Sequence, residues 1–188
     1  MPRILGRRLA LTSAGYTYVD IAVSVGPSSS VEIIICNSRG YKIILTHATW
    51  TALFEKRAAI EELVQSTTPS SGLLIQDLYI QLVKLRNENM VKLTLRNNSI
   101  CMKPSTVCFI FKLEHCVEHI YHSLCQYIHT VNEKYKLFVS LLRQTSYIYN
   151  KCDAEKLLRE KYDKTSLLDC ELLTYALDNI VNDALGDR

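Results

Sequence analysis

The sequence lacks the motifs that mark most enzymes. It contains no glycine-rich phosphate loop, no HExxH zinc motif and no GxSxG nucleophile motif. None of its apolar runs approaches the roughly 18 residues that a membrane-spanning helix needs. Its cysteines form no CxxC pair, which removes the commonest zinc and thiol-exchange motifs. These absences predict a non-catalytic protein with no membrane segment, no metal and no other cofactor.

The seven cysteines are odd in number and are scattered at uneven spacing through apolar surroundings. This pattern is typical of buried free thiols, whereas a disulfide framework pairs its cysteines. It predicts a reducing compartment, either the nucleus or the cytoplasm.

Charge is divided unevenly along the chain. The net charge is +3, but residues 1–113 contain 13 Lys and Arg against 7 Asp and Glu, whereas residues 114–188 contain 9 against 12. An anionic partner is therefore expected to bind the first part. Arg3, Arg7 and Arg8 precede the first acidic residue, which predicts a flexible basic N-terminal arm over residues 1–15.

Residues 39–64 match residues 96–121 at a constant offset of 57, with apolar residues opposite apolar ones at almost every position. Two copies of a unit in one chain usually pack against each other as a built-in dimer. The predicted fold class is α+β, with two tandem antiparallel sheet-plus-helix units that form an intramolecular pseudo-dimer. The expected segments are the arm over 1–15, the first unit over 16–65, a linker over 66–72, the second unit over 73–129 and a helical extension over 130–188.

Local patterns place the first elements. Period-two alternation predicts a strand over residues 17–25, with Tyr16, Tyr18, Asp20, Ala22 and Ser24 on one solvent-exposed face. Further strands are expected over 31–36, 41–45, 73–86 and 90–103. Thr46 is expected to cap a helix that continues to about residue 65, because its hydroxyl can accept a bond from an unpaired backbone N–H. Trp50 is expected to pack between this helix and the sheet.

Alternating cations give residues 83–96 the strongest functional pattern in the chain. Lys84, Arg86, Lys92 and Arg96 each alternate with apolar residues, as on a strand with one basic face. Matching the faces of two strands requires Arg86 opposite Lys92, across a three-residue turn. The outer face would then hold four cations without an acid, an arrangement that mutual repulsion disfavours unless an anion binds there.

Such cations can also serve only to keep a hairpin soluble and to discourage edge pairing. Their neighbours favour binding, because cations interleaved with aromatic rings are what a groove for single-stranded nucleic acid needs. The predicted contact residues are Lys84, Arg86, Lys92, Arg96, Arg39, Lys42, Tyr16, Tyr18, Arg7 and Arg8.

Histidines recur at helical spacing between residues 115 and 129. Zinc would need a fourth ligand in tetrahedral geometry, and Cys116 lies around the helix from His122. The simpler interpretation is a polar helix face that contains His115, His119, His122 and His129.

Residues 39–53, continuing over 60–64, resemble the single-stranded-DNA-binding domain of the transcriptional positive cofactor four family. The matching residues are Gly40, Lys42, Ile43, Leu45, Thr46 and Trp50. The resemblance covers about residues 16–125, although Val107 replaces the tryptophan in the second copy and no glycine precedes Ile100. It implies a curved four-stranded antiparallel sheet followed by one helix, paired into a dimer whose sheet surfaces bind single strands with little sequence preference.

The predicted function is non-catalytic binding of single-stranded nucleic acid in transcription or replication, with DNA as the first expectation and RNA as the alternative partner. The alternative is a protein-interaction or structural module, such as a viral assembly factor, that binds its partner through the sheet and the helical tail. A protein partner on the C-terminal helices and a homodimer of whole chains are compatible with either hypothesis.

Overall fold

The computed structural model describes residues 1–66, 72–145, 148 and 150–186. Its strands are β1 (Arg3–Ala10), β2 (Thr17–Ser24), β3 (Ser30–Asn37), β4 (Lys42–Leu45), β5 (Leu73–Ile75), β6 (Leu78–Leu85), β7 (Glu88–Leu95) and β8 (Asn98–Met102). Its helices are α1 (His47–Glu55), α2 (Arg57–Gln65), α3 (Pro104–Ile110), α4 (Glu114–Cys125), α5 (Ile128–Gln144), α6 (Lys151–Lys161), α7 (Leu167–Tyr175) and α8 (Leu177–Leu185), with a 3₁₀ turn over Phe111–Leu113.

The strands form two four-stranded antiparallel sheets, each with its strands in sequence order. Helices follow the last strand of each sheet, so the predicted α+β class is confirmed. We call β1 to β4 the first sheet and β5 to β8 the second sheet.

The basic N-terminal arm predicted over residues 1–15 is wrong, because Arg3–Ala10 form β1 at the edge of the first sheet. Ile4 is buried and β1 is hydrogen-bonded to β2, which holds the segment in place. A run of arginines on an edge strand looks like a disordered arm in sequence, since its charged side chains stay in solvent.

The long strands predicted over residues 73–86 and 90–103 are each broken in two. Two-residue turns join the strands of the second sheet at 76–77, 86–87 and 96–97. Gln76, Arg86 and Arg96 open these turns with φ of 53°, 51° and 53°, a left-handed conformation that glycine or asparagine usually supplies. The absence of glycine made these turns invisible in the sequence.

The chain divides into two compact units. One contains Arg7–Ile21 and Glu32–Ile120, and we call it the sheet unit; the other contains Met1–Gly6, Ala22–Val31 and the chain from Tyr121 onward, and we call it the helical unit.

The sheet unit has two halves: the first contains its part of the first sheet with α1 and α2, and the second contains the second sheet with α3. The helices of the first half pack on the second sheet. Helix α1 contacts β5, α2 contacts β6 and α3, and β4 lies beside β8. Trp50 is fully buried, as predicted, and its ring lies tilted against Phe54, with the ring centres 4.9 Å apart. Phe54 in turn meets Phe111 edge to face at 5.5 Å. Such aromatic contacts contribute about 0.5–1.5 kcal/mol each beyond the area they bury.

The internal repeat has a counterpart in the element boundaries. Helices α1 and α3 begin at His47 and Pro104, and α2 and α4 begin at Arg57 and Glu114, an offset of 57 residues in both cases. The predicted cap is confirmed, because Thr46 Oγ1 accepts a bond of 3.1 Å from the Thr49 N–H. The single helix predicted to follow it is interrupted between α1 and α2.

In the helical unit, α8 packs against α5, α6 and α7. The turn before α7 is organised by Asp169, whose side chain is 1% exposed. Its carboxylate accepts bonds of 3.1 Å from Lys134 Nζ and from the Asp163 N–H. The Ser166 hydroxyl lies at 3.4 Å, so this buried charge is paired and hydrogen-bonded.

The linker predicted over 66–72 lies, except for its two ends, outside the described residues. Of the seven free cysteines only Cys36 is buried, and Cys116 and Cys152 are exposed on helices, so the prediction of buried thiols holds for one. None of the described helices is long and apolar enough to cross a bilayer.

We expect Asp169→Asn to lower the free energy of unfolding by about 2–3 kcal/mol, because it removes the charge that Lys134 and two further donors are arranged around. Urea denaturation followed by circular dichroism measures the change. Asp178→Asn is the matched control, since Asp178 pairs with Lys151 at a site that is 68% exposed. Equal shifts for both variants would contradict a structural role specific to Asp169.

Candidate nucleic-acid interface

The second sheet has one buried and one solvent-facing surface. Leu78, Ile80 and Leu93 are at most 1% exposed and define the inner face. Because side chains alternate along a strand, the intervening residues point to the opposite, outer face. The outer face consists of Leu74, Tyr79, Gln81, Val83, Leu85, Glu88, Met90, Lys92, Thr94, Ser99 and Cys101.

The predicted hairpin register is wrong. Gln81 rather than Arg86 pairs with Lys92, and Lys84 pairs with Asn89. This register places Lys92 on the outer face, whereas Lys84 shares the parity of the buried Leu82 and reaches solvent only at the end of its strand. The two lysines therefore do not form one basic strip.

Arg86 and Arg96 occupy turns at opposite ends of β7, not the strand face predicted for them. A strand of eight residues separates them, which corresponds to about 25 Å. The two-residue turn at 86–87 sets a register that buries three apolar residues from each strand on the inner face, namely Leu78, Ile80, Leu82, Val91, Leu93 and Leu95. The predicted three-residue turn would have directed Val83 and Leu85 inward instead.

A concavity of about 510 Å³ on the sheet unit is lined by residues from both of its halves. We call it the arginine concavity; it is lined by Arg39, Leu85, Arg86, Glu88 and Met90. Arg39 comes from the turn between β3 and β4, and the other residues come from the β6–β7 hairpin. Two guanidinium groups thus border a surface with an apolar component.

The single acid of the arginine concavity is partly neutralised. Glu88 Oε2 lies 3.5 Å from Lys103 Nζ, and both side chains are about two-thirds exposed. Arg39, Arg86 and Lys103 together carry three positive charges against one negative charge. A cluster of this sign attracts anions, and its arginines have the planar geometry that binds phosphate by two parallel hydrogen bonds.

On the first sheet, β4 directs Ile43 and Leu45 inward, while Lys42 and Ile44 are exposed on its other side. Since β4 lies beside β8, Lys42 is on the part of the first sheet that borders the second sheet. The solvent-exposed face predicted for β2 is wrong at its C-terminal end, where Ala22 and Ser24 are buried.

Arg8 is exposed on β1, but its guanidinium already has interaction partners within the chain. Its guanidinium forms bonds of 2.7 and 2.8 Å to the two carboxylate oxygens of Asp20 and lies 3.7 Å from the centre of the Tyr18 ring. The hydrogen bond from Arg8 to Asp20 raises the pKa of the guanidinium, so it remains charged. One face of Tyr18 is therefore covered, and Tyr18 is a poor stacking platform. Arg7 is exposed on the same strand.

Tyr16 is 40% exposed, and the Arg39 guanidinium lies 5.9 Å from its ring centre. This places a predicted aromatic residue next to the arginine concavity. Sequence reasoning missed two further exposed rings, Tyr41 and Tyr79. The alternation of Tyr79 with Leu78 and Ile80 was the signal that could have located it on the outer face.

Comparison of the sequence with known protein families finds no family that matches it. Comparison with curated proteins likewise finds no similar protein.

We expect Arg86→Asn and Arg96→Asn to stabilise the fold by about 0.5 kcal/mol each, because asparagine tolerates positive φ better than arginine does. The midpoint of urea denaturation measures this. A lower midpoint for either variant would show that the arginine side chain itself supports the turn.

Proposed function

We propose that this protein is a non-catalytic binder of single-stranded nucleic acid, DNA in preference to RNA, that acts in transcription or replication. The strand would contact the arginine concavity and continue over the outer face of the second sheet. The proposal adopts the function implied by the resemblance to the positive cofactor four family, with a revised set of contact residues.

The observation that carries the proposal is the meeting of Arg39 and Arg86 at one concavity, although 46 residues separate them in the chain. Cations that converge from distant segments indicate a site more strongly than neighbours in sequence do. Leu85 and Met90 supply apolar surface against which a base can pack while the guanidinium groups bind phosphates.

The outer face extends this site. Lys92 has no ion-pair partner among the described residues, and Tyr79 is 37% exposed on the adjacent strand. A cation and a ring on one sheet surface suit a single strand with splayed bases, whereas reading a duplex requires a helix or ribbon in the major groove. Lys42 and Tyr16 would contribute from the first half. The main contacts proposed here do not include Lys84, Arg96, Arg7 and Arg8.

We infer that the two sheet-plus-helix halves are related as the subunits of a dimer, with β4 and β8 side by side at their boundary. The halves are not equivalent as binding surfaces, because the second outer face carries Lys92 and Tyr79, whereas the first has Arg8 already paired with Asp20. One half would then bind more tightly than the other.

We expect the full-length protein to bind a fluorescent oligo-dT strand with strong salt dependence. If Arg39, Arg86, Lys92 and Lys42 neutralise four phosphates, the slope of log affinity against log salt is about −3, at roughly 0.7 for each phosphate. Fluorescence polarisation between about 50 mM and about 300 mM NaCl measures this slope. No binding at low salt would contradict the proposal. An equivalent oligo-U strand tests the preference for DNA.

We expect Arg86→Asn to weaken oligo-dT binding about tenfold at low salt, because it removes a charge-assisted contact worth about 1.5 kcal/mol. Arg96→Asn is the matched control, since it makes the same charge change at a turn of nearly the same φ, about 25 Å away. We expect the control to weaken binding less than about twofold. Equal losses in both variants would show that net charge alone, and not the arginine concavity, determines binding.

The second candidate function is protein recognition by the same sheets. It is favoured by apolar side chains that face solvent on them, namely Leu74, Leu85, Ile44 and Tyr79. Salt separates the two functions, since an apolar protein interface strengthens or stays constant as salt rises, whereas phosphate binding weakens.

A further inference from the structure

The helical unit contains a concavity of its own, which the proposed function does not use. It lies between α5 and the C-terminal end of α8 and has a volume of about 560 Å³. Pockets that hold small organic ligands usually measure about 300–1,000 Å³. The size of this concavity therefore suits a small molecule rather than a chain segment.

One wall of this concavity is held in place by hydrogen bonds. The Tyr135 hydroxyl donates to Asp183 Oδ2 at 2.6 Å, and the Arg143 guanidinium donates to the Asp183 backbone oxygen at 2.6 Å. Tyr135 is 2% exposed, and burial together with its bond to Asp183 raises the pKa of the hydroxyl, so it remains a donor. A wall fixed before binding lowers the entropic cost of taking up a ligand.

The charges around the concavity favour an anion. Lys136 and Arg143 are seven residues apart on α5, which puts them on one side of the helix, about 10 Å apart along its axis. Asp183, the acid of the lining, already accepts a hydrogen bond from the Tyr135 hydroxyl. Lys136 has no ion-pair partner among the described residues, so its ammonium group is available to a ligand.

Apolar surface lies between the two cations. Val139 faces the concavity from the turn of α5 between Lys136 and Arg143, and Pro27 lines it from the β2–β3 connection. A ligand that fits both features has a charged head and an apolar body, since the apolar residues would contact the body while a cation holds the head.

We propose that this concavity binds a small amphipathic anion, a carboxylate or phosphate group on an apolar body. The head contacts Lys136, with Arg143 as the second cation, and the body lies on Val139 and Pro27. This site is independent of nucleic-acid binding by the sheet unit.

The test is a titration of the full-length ¹⁵N-labelled protein by NMR. Decanoate and phenyl phosphate are the two probes, and decyltrimethylammonium is the control of opposite charge. We expect saturable shifts confined to residues of α5 and α8 with at least one anionic probe, and none with the cation. Decanoate alone identifies a carboxylate site, phenyl phosphate alone identifies a phosphate site, and either result supports the proposal.

Two variants decide whether the shifts come from this concavity. We expect Lys136→Gln to weaken binding about tenfold, since it removes one charge-assisted contact. Val139→Trp should abolish binding by filling the space. Lys156→Gln, an exposed lysine on α6, is the matched control and should leave affinity unchanged.

Three results would overturn the proposal: no saturable shifts with either anion, equal binding of the cation, or full affinity in both Lys136→Gln and Val139→Trp. Affinity for oligo-dT should be the same in Lys136→Gln as in the unmodified protein. The two proposals can therefore fail separately.

Discussion

Burial of the inner face of the second sheet is the constraint on which the candidate interface depends. Leu78, Ile80 and Leu93 are enclosed beneath helices of the same unit, and each strand position between them must face solvent. A slip of one residue would bring Lys92 into the core, at the cost of burying an unpaired charge. The direction of Tyr79 and Lys92 therefore follows from apolar packing alone.

The same packing joins the two halves of the sheet unit. Thr49, buried on α1, donates from its hydroxyl to Gln76 at 2.9 Å, and the Gln76 amide donates to the Ala48 carbonyl at 3.3 Å. The first helix of one half is thus anchored to the first turn of the other. Arg39 reaches the β6–β7 hairpin only because the halves are held this way, so the arginine concavity is a product of their packing.

Local features were predictable from the sequence where the signal was strong. Alternation located β2, β-branched residues located β3, the Thr46 hydroxyl marked the start of α1, and the 57-residue offset matches the starts of two pairs of helices. β1 was missed because its exposed arginines concealed a strand. Of the predicted contact residues, Arg39 and Arg86 converge, whereas Lys84 and Arg96 do not, because the two-residue turn at 86–87 sets a register different from the predicted one.

The sequence by itself determines whether most elements are helices or strands, and it determines the sign of the charge on each part of the chain. It can do so because periodicity, capping and composition act over a few residues. Which cations share a surface was decided only in three dimensions. That depends on turn lengths, on the face that each strand buries and on the packing of one half against the other, and these are resolved by the competition of apolar side chains for a single core.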